Sequence, residues 1–284
     1  QDHLDYHKTM KSYLNSKLIL FRNILTKKKS IILDKSTKQF LILKKISKQK
    51  KLRIVDISEI KENINKITDL KFNEFQLKNL SMAIAAAKIC NLKDNKIYKV
   101  LKKIKDVDGR LELVRIFSNN IKVFVDYAHT PDALLKALQA LKSYHGKNIS
   151  LVFGCGGDRD TKKRPVMAKI AKSNCKKIYV TDDNPRNENP EKIRNEIVKK
   201  INNENCFNIG NRIKAIKTAV LNAEPNEVIL IAGKGHEVEQ IYKNKTVSIS
   251  DKKIIRKLKV KIKILTKKNQ KFMHNKNILK KIMK

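Results

Sequence analysis

Glycine and charged residues concentrate in two short loops of this 284-residue chain. Five of its eight glycines fall in GCGGDRD (154–160) and GKG (233–235), and each loop directly follows an apolar run. Glycine lets the backbone adopt positive φ and approach a ligand closely. The first loop adds fixed charges from Asp158, Arg159 and Asp160. A tight turn with surface charges would explain either loop taken alone.

Two further apolar runs end in polar clusters, DYAHTPD (126–132) and TDDNPRNENP (181–190). Ligands of open α/β sheets bind beyond the carboxyl ends of the parallel strands, so the four loops are expected to meet at one edge. Guanidinium and amide groups can bind a carboxylate by charge-assisted hydrogen bonds, and a carboxylate can bind an ammonium group. In DNPR, Pro185 fixes the turn that presents Asn184 and Arg186. The set of loops predicts a binding site for an amino acid.

The elements that position these loops alternate between strand and helix after Asp106. Strands are predicted at 123–128, 150–154, 177–183 and 227–233, with helices that begin near Pro131, Pro165, Pro190 and Arg212. Repeated strand–loop–helix units predict a Rossmann-like α/β domain with a mainly parallel sheet. Before it, helices over 1–25 and 75–89 flank β-branched runs over 30–57, which we interpret as strands. We predict an incomplete α/β domain at 1–106, the Rossmann-like domain at 107–260 and a basic tail at 261–284.

The composition excludes several classes of protein. The chain has no run of eighteen apolar residues, and its first twenty residues interleave charges, which argues against a spanning helix and a signal peptide. We therefore expect a soluble, cytoplasmic protein without a transmembrane segment. The four cysteines show no CxxC spacing, so neither a zinc site nor a disulfide framework is indicated.

The net charge is +38, from 65 Lys and Arg against 27 Asp and Glu. Such an excess is typical of proteins that bind nucleic acid or an anionic membrane. Only ten of the basic residues are arginine, whereas nucleic-acid readers favour its bidentate fork. We therefore favour compositional drift and predict no specific nucleic-acid partner. Residues 252–284 hold fourteen Lys and Arg and no acid. Such a stretch could be an amphipathic segment that binds an anionic surface, but we favour a solvated extension.

The motifs DYAHTPDAL, FGCGGDRDTKKRP, TDDNPRNENP and AGKGHE, in this order, resemble the C-terminal domain of the Mur ligase family, and within it the MurE type. The opening QDHLDYHKTMKSYLNSKLILF and the helix FQLKNLSMAIAAA resemble the family's central ATP-binding domain, and GRLE (109–112) resembles its hinge arginine motif. The resemblance implies an ATP-dependent amide ligase of peptidoglycan biosynthesis, and so of cell wall biogenesis, cell shape and cell division. It implies addition of meso-diaminopimelate to the D-Glu of UDP-MurNAc-L-Ala-D-Glu through an acyl phosphate, with ATP and Mg²⁺ as cofactors, by a monomer.

The resemblance also implies roles for residues on the nucleotide side. Lys17, in YLNSK, corresponds to a lysine that becomes carbamylated and orients Mg²⁺, and His3 corresponds to a magnesium ligand. Without the resemblance, Lys17 would be read as a solvated helical lysine and His3 as an ordinary polar residue. Four positions correspond to nucleotide contacts: Arg110 for a phosphate, Asp126 for the ribose, and Tyr127 and His129, of which His129 is expected to be catalytic.

The pocket for the incoming amino acid is implied by positions in the strand-end loops, namely Arg159, Asp183, Asn184, Arg186, Gly233 and Glu237. Arg159 and Arg186 would hold carboxylates and Glu237 an ammonium group, with support from Asp183 and Lys163. The DNPR form resembles that of enzymes that choose meso-diaminopimelate over L-lysine. Arg186 can pair with a distal carboxylate that lysine lacks, which gives a stronger basis for discrimination than a methylene does.

The sequence also departs from the family pattern. No GxxxxGK[ST] phosphate loop occurs, and no segment corresponds to the N-terminal UDP-binding domain. LDKSTKQ (33–39) replaces an Asn-Asp-Asp type of turn, which leaves the position of the adenine open. We expect the C-terminal portion of a longer ligase, inactive without its N-terminal half. Two alternatives stay open: a degenerate, non-catalytic module that keeps a diaminopimelate or nucleotide pocket, and a relative that adds L-lysine or glutamate.

Overall fold

The computed structural model describes residues 4–67, 74–101, 103–104 and 107–259. The chain divides into unit 1, Gln1–Asp106, and unit 2, Val107–Lys284, which are described separately. No helix in the described ranges combines the length and the apolar character needed to cross a bilayer.

The described part of unit 1 is mainly helical, with one parallel pair of strands. Its elements are α1 (Leu4–His7), α2 (Met10–Ile19), a π-helical turn (Leu20–Ile24), β1 (Ser30–Leu33), α3 (Phe40–Lys50), β2 (Arg53–Asp56), α4 (Ser58–Ile67), α5 (Glu74–Ile89) and α6 (Asp94–Leu101). Ser30 of β1 lies opposite Arg53 of β2, and α3 makes the crossover between the two parallel strands.

The strand prediction for 30–57 was wrong over residues 40–50, which form α3. Leu43, Ile46 and Ser47 are buried, whereas Leu41 is exposed, and this spacing of three and four residues is the period of a helix. The apolar run of Phe, Leu and Ile at the start of the segment concealed that period. The helix predicted over 1–25 is likewise interrupted, because Lys8 adopts a positive φ of 59° and Thr9 caps α2 by accepting a hydrogen bond from Ser12 N.

Unit 2 is a six-stranded sheet with helices on both faces, followed by a hairpin. Its elements are β3 (Glu112–Phe117), a 3₁₀ turn (Ser118–Asn120), β4 (Ile121–Asp126), α7 (Pro131–His145), β5 (Ile149–Phe153), α8 (Lys163–Asn174), β6 (Lys177–Val180), α9 (Pro190–Ile201), β7 (Cys206–Asn208), α10 (Arg212–Leu221), β8 (Val228–Ala232), β9 (Glu239–Tyr242), β10 (Lys245–Ser248) and α11 (Asp251–Lys257). The strand order is β3-β4-β8-β5-β6-β7, in which β3 alone runs antiparallel to its neighbour. The predicted α/β fold with a mainly parallel sheet is confirmed.

The sheet is buried because α7, α8 and α9 cover one face and α10 and α11 cover the other. All five residues of β5 and of β8 are buried, as their continuous apolar runs require. Pro131 opens α7 behind the cap residue Thr130, at a position where the missing N–H costs nothing. Of the predicted starts, that of α8 is displaced, since the helix begins at Lys163, two residues before Pro165.

Candidate functional site

The carboxyl ends of β4, β8, β5 and β6 lie at one edge of the unit 2 sheet, because these four neighbouring strands run in parallel. Asp126, the last residue of β4, lies opposite Ala232, the last residue of β8. The next residue, Gly233, donates its N–H to the Asp126 carbonyl at 3.1 Å. The loops that follow these strands are therefore held side by side, as the sequence predicts.

Backbone packing presses the glycine loop of 154–160 against the DNPR turn. Gly157 donates its N–H to the carbonyl of Asn184 at 2.9 Å. A Cβ atom on Gly157 would lie 1.9 Å from the carbonyl oxygen of Pro185, and one on Gly154 would lie 2.2 Å from that of Thr181. Glycine is needed at both positions because no side chain fits between the two segments.

Arg186 has an uncommon backbone conformation, and its guanidinium forms hydrogen bonds through Nη1. Its φ is +52°, and its N–H donates to the carbonyl of Ile241 in β9 at 3.0 Å. The guanidinium donates from Nη1 to the carbonyls of Gly157 at 2.9 Å and Asn184 at 3.3 Å. Both of these hydrogen bonds use Nη1. Among the described residues Nε and Nη2 have no hydrogen-bond partner, and they form the paired edge of the guanidinium that can bind a carboxylate.

Asn184 and Glu237 are joined through Lys234, a residue that sequence reasoning missed. The Lys234 ammonium lies 3.1 Å from Asn184 Oδ1 and 3.0 Å from Glu237 Oε2, and Lys234 is fully buried. Asn184 Nδ2 also donates to Glu237 Oε2, at 3.4 Å. The one available signal was the position of Lys234 between Gly233 and Gly235, which does not reveal burial.

Burial and neighbouring charges shift the pKa of three acidic groups here. Burial acts to raise the pKa of Glu237, but hydrogen bonds and the charge of Lys234, with further hydrogen bonds from Tyr127 and Asn184, hold it below its usual value. Burial and the adjacent Glu237 carboxylate raise the pKa of Tyr127. Burial also raises the pKa of Asp126, although two backbone N–H groups bond to its ionised form. The site thus holds Glu237 charged at neutral pH.

The residues predicted for the nucleotide side surround Tyr127. The Arg110 guanidinium lies over its ring at 4.5 Å, and the His129 and His236 rings lie at 4.6 and 5.4 Å. His129 Nδ1 donates to the carbonyl of Tyr127 at 2.8 Å, since a carbonyl only accepts. Asp126 accepts from Ala128 N at 2.8 Å on Oδ1 and from a second backbone N–H on Oδ2. These predicted residues therefore lie together.

Three further residues predicted for the pocket, Asp183, Arg159 and Lys163, differ in their exposure to solvent. Asp183 is buried, its Oδ2 has no hydrogen-bond partner among the described residues, and that atom lies 2.6 Å from where a Cβ on Gly233 would be. Arg159 is exposed, although the loop that carries it is bonded to the DNPR segment through Asp158 and Asn187. Lys163 is buried. The structure thus brings Asp183 beside Gly233 but leaves Arg159 at the surface.

The two residues predicted for magnesium lie in unit 1 or outside the described ranges. Lys17 is exposed in the last turn of α2, with its ammonium 5.1 Å from the centre of the Tyr13 ring. His3 lies outside the described residues. Among the residues that the structure describes, no three His, Cys, Asp or Glu side chains lie close enough together to share a metal ion.

Two arginines outside the predicted pocket, Arg164 and Arg212, are buried in unit 2. Arg164 pairs with Glu188 at 2.8 Å and with Glu196 at 2.9 Å, and Glu188 in turn accepts from Asp158 N at 2.7 Å. Arg212 is likewise buried. Charged side chains are seldom buried without partners, so the burial of both arginines is a property of the fold.

Known proteins share this arrangement of domains. Residues 1–100 match the Mur ligase middle domain, and residues 109–235 match the Mur ligase glutamate ligase domain. A UDP-N-acetylmuramoyl-L-alanyl-D-glutamate–2,6-diaminopimelate ligase of Buchnera aphidicola subsp. Schizaphis graminum is 40% identical over 91% of this chain and 57% of its own length. The protein of the same name from Rickettsia bellii is 39% identical over 89% of this chain and 58% of its own length. The chain thus spans less than two thirds of the curated relatives it matches.

Solved structures agree with these matches. A structure of a UDP-N-acetylmuramoyl-L-alanyl-D-glutamate–2,6-diaminopimelate ligase is 26% identical and covers 90% of this chain and 57% of its own, with a TM-score of 0.51. E. coli FolC in complex with ADP is 17% identical, covers 82% of this chain and 56% of its own, and has a TM-score of 0.61, a likeness of fold. Since two domains of one family together match most of its length, this chain belongs to the Mur ligase family.

Proposed function

We propose that this chain carries the amino-acid-binding half of an ATP-dependent amide ligase of peptidoglycan synthesis, which adds meso-diaminopimelate to UDP-MurNAc-L-Ala-D-Glu. The names of the curated relatives support this substrate pair. The geometry supports it independently, because unit 2 places a guanidinium, an amide and a carboxylate around one short turn. A diamino diacid has two zwitterionic ends, which need complementary groups of this kind.

The observation that carries the proposal is the orientation of Arg186. Its Nη1 is occupied by two backbone carbonyls, which fix the plane of the guanidinium. Nε and Nη2 can then bind the distal carboxylate of diaminopimelate with two parallel hydrogen bonds. L-lysine has no group for this position, and a site built to bind a polar group rejects an analogue that lacks it. This favours a diaminopimelate-adding enzyme over a lysine-adding relative.

Each of the remaining pocket residues is expected to bind one charged group of the ligand. Glu237 is ionised and would bind an ammonium group, and Asn184 Nδ2 would donate to a carboxylate. Asp183 has a buried oxygen without a hydrogen-bond partner in the described part of the chain, lies against Gly233 and would accept from the same ammonium. Arg159 is exposed and would reach a carboxylate from the loop of 154–160.

The residues on the nucleotide side fit ATP in their chemistry. Arg110 offers an exposed guanidinium for a phosphate, and Tyr127 and His129 offer ring surfaces. Asp126 has a lone pair left on each oxygen for a ribose hydroxyl. When bound, ATP supplies the phosphoryl group that activates the carboxylate of the acceptor. The described residues include no group of three His, Cys, Asp or Glu side chains that could hold Mg²⁺, so the roles of Lys17 and His3 stay predictions.

The test is a comparison of amino-acid affinities by calorimetry. The chain is expected to bind meso-diaminopimelate more tightly than L-lysine, and Arg186→Ala is expected to reduce this preference by roughly 10- to 100-fold, the effect of a lost charge-assisted hydrogen bond. Arg256→Ala, which changes an exposed arginine of the same unit, is the control. Equal affinity for L-lysine and meso-diaminopimelate in the unaltered chain would contradict the proposal.

A second assay separates binding from catalysis. The 284 residues carry no GxxxxGK[ST] loop, which favours a chain that binds its amino acid without forming the amide. We expect no ATP-dependent amide product when the chain is incubated with meso-diaminopimelate, UDP-MurNAc-L-Ala-D-Glu, ATP and Mg²⁺. Product formation would show that the phosphates are held in another way.

A further inference from the structure

Lys234 occupies a position that the proposed reaction does not by itself explain. Its side chain is 1% exposed, and it stands between two glycines with positive φ, Gly233 at +114° and Gly235 at +55°. The turn closes with a hydrogen bond from Glu237 N to the Lys234 carbonyl at 2.9 Å. Burial of an ammonium group is costly unless the group is paired, so a lysine enclosed in this way needs partners of opposite charge or polarity.

The partners of Lys234 determine which way the Asn184 amide faces. Asn184 Oδ1 receives the Lys234 ammonium at 3.1 Å and the backbone N–H of Ile241 at 3.0 Å. Both of these groups donate and neither accepts, so the amide atom that faces them must be the oxygen. The NH₂ group of Asn184 is therefore turned toward Glu237, and Asn184 can offer a ligand only a donor.

The Lys234 ammonium also binds one of the two oxygens of the Glu237 carboxylate, so that the two oxygens differ in their surroundings. Oε2 receives Lys234 Nζ at 3.0 Å and Asn184 Nδ2 at 3.4 Å. The carboxylate also accepts a hydrogen bond from the Tyr127 hydroxyl. The side chain is 34% exposed, so it reaches the surface of the site as well as the buried lysine. Lys234 and Asn184 both bind Oε2, so Oε1 is the oxygen that we assign to an incoming ammonium group.

We propose that Lys234 is the positioning residue of the amino-acid site: by binding Asn184 Oδ1 and Glu237 Oε2, it sets the NH₂ donor of Asn184 beside the ionised carboxylate of Glu237. This inference rests on the proposed function, because it assigns the two groups to the carboxylate and the ammonium of one zwitterionic ligand. Lys234 acts through these two residues and does not contact the ligand. It thereby determines which position in the site binds the carboxylate of the ligand and which binds the ammonium group.

The charged and titratable groups around Glu237 make this role measurable. Lys234 lies on its own loop, Tyr127 follows β4, and the buried Arg212 of α10 contributes a more distant positive charge. Burial opposes the ionisation of Glu237, and Lys234 is the nearest cation that favours it. Removal of Lys234 is therefore expected to raise the pKa of Glu237 and to make ligand binding depend on pH over a range in which the unaltered site does not respond.

The experiment compares Lys234→Met, which keeps an unbranched apolar stem, with Lys253→Met, which changes an exposed lysine of α11. The Glu237 carboxyl is titrated by carbon NMR and assigned by the loss of its signal in Glu237→Gln. In the unaltered chain and in Lys253→Met, the pKa should lie below the usual value of about 4.3. In Lys234→Met it should rise by about one unit or more, a tenfold change in proton affinity.

Calorimetry with meso-diaminopimelate gives the second readout. At about pH 7.5, Lys234→Met is expected to bind roughly tenfold more weakly, and the deficit should widen as the pH falls toward about 5, because protonated Glu237 cannot bind an ammonium group. A loss of affinity that stays the same at every pH, or an unchanged Glu237 pKa in Lys234→Met, would reduce Lys234 to a packing residue and overturn the inference.

The two proposals fail separately. If the unaltered chain does not bind meso-diaminopimelate, the proposed function fails, but the NMR titration still decides whether Lys234 controls the ionisation of Glu237. If Lys234→Met does not fold, the titration of the unaltered chain decides. A Glu237 pKa at or above its usual value there would overturn the role of Lys234, and a lowered one would support it.

Discussion

The guanidinium of Arg212 binds the carboxylate of Asp251 through two hydrogen bonds, 2.8 Å from Nε to Oδ1 and 2.7 Å from Nη2 to Oδ2, with both side chains fully buried. Arg212 is the first residue of α10, and Asp251 is the first residue of α11. Nη2 also donates to the carbonyl of Ala232 at 3.1 Å, at the end of β8 and immediately before Gly233. The pair therefore supports the strand end from which the loop with Lys234 and Glu237 departs.

Asp251→Ala is expected to destabilise unit 2 by about 3 to 5 kcal/mol, because it leaves a buried guanidinium without its counter-charge. The double variant Arg212→Met/Asp251→Leu should be less destabilised than the single one, since it removes both charges and keeps apolar volume. Hydrogen exchange of peptides from α10 and β8 measures the change. Lys136→Ala breaks an exposed pair with Asp132 and should cost less than about 1 kcal/mol. An equally small effect of Asp251→Ala would contradict this account.

Gly157→Ala tests the contact between the glycine loop and the DNPR turn. The new Cβ would lie 1.9 Å from the carbonyl oxygen of Pro185, a backbone atom that cannot move alone. We expect the turn with Asn184 and Arg186 to be displaced and meso-diaminopimelate to bind at least about tenfold more weakly, as when a well-formed charged contact is lost. Calorimetry measures the affinity. Gly146→Ala, where the Cβ meets no atom within 4 Å, should leave binding unchanged despite its strained φ of +81°. Full affinity in Gly157→Ala would show that the turn tolerates movement.

Asp34 makes the stability of unit 1 depend on pH. Burial acts to raise its pKa, but hydrogen bonds from Ser36 and the ammonium of Lys78, 3.1 Å away, lower it from 3.8 to about 2. Because the pKa is lower in the folded protein than in the unfolded chain, the stabilisation is complete above about pH 4 and is lost as the pH falls toward 2. It is expected to reach about 2 kcal/mol.

Urea titrations followed by circular dichroism test this expectation. The difference in unfolding free energy between the unaltered chain and Asp34→Asn should be largest above about pH 4 and should shrink between about pH 4 and 2. Asp94→Asn, which changes an exposed partner of Lys88, is the control and should show little change over this range. A difference that grows as the pH falls would have the wrong sign for a lowered pKa.

The four thiols are expected to differ sharply in reactivity. Burial raises the pKa of Cys155 and of Cys175 to about 12 and that of Cys206 to about 11, whereas Cys90 is exposed. The thiolate is the reactive form, so a thiol reagent at about pH 8 should modify Cys90 rapidly in the folded protein and the other three only after unfolding. The absorbance of a released chromophore counts the thiols. Cys90→Ser should abolish the rapid phase, and a second rapid thiol would contradict the raised pKa values of the other three.

Patterns along the chain predicted most of unit 2. Continuous apolar runs such as β5 and β8 mark buried parallel strands, and the proline and cap pairs at Thr130 and Asn189 mark helix starts. In unit 1 the same approach misassigned α3, because a short segment rich in Ile, Leu and Lys has no strong preference and its neighbours decide its conformation. Local composition predicts secondary structure poorly where tertiary packing determines whether the apolar residues are buried with the period of a helix or of a strand.

The sequence by itself determined which residue types stand at the strand ends, and the parallel strands then place Asn184, Arg186 and Glu237 at one edge. The tertiary structure alone decided that Lys234 is buried between Asn184 and Glu237, that Arg212 pairs with Asp251, and that Arg159 faces solvent. The physical reason is that burial, hydrogen-bond partners and pKa shifts depend on atoms contributed by segments far apart in the chain. The sequence Gly-Lys-Gly is the same for a lysine in water and for a buried lysine that is paired with a carboxylate, so it cannot reveal which of the two is present.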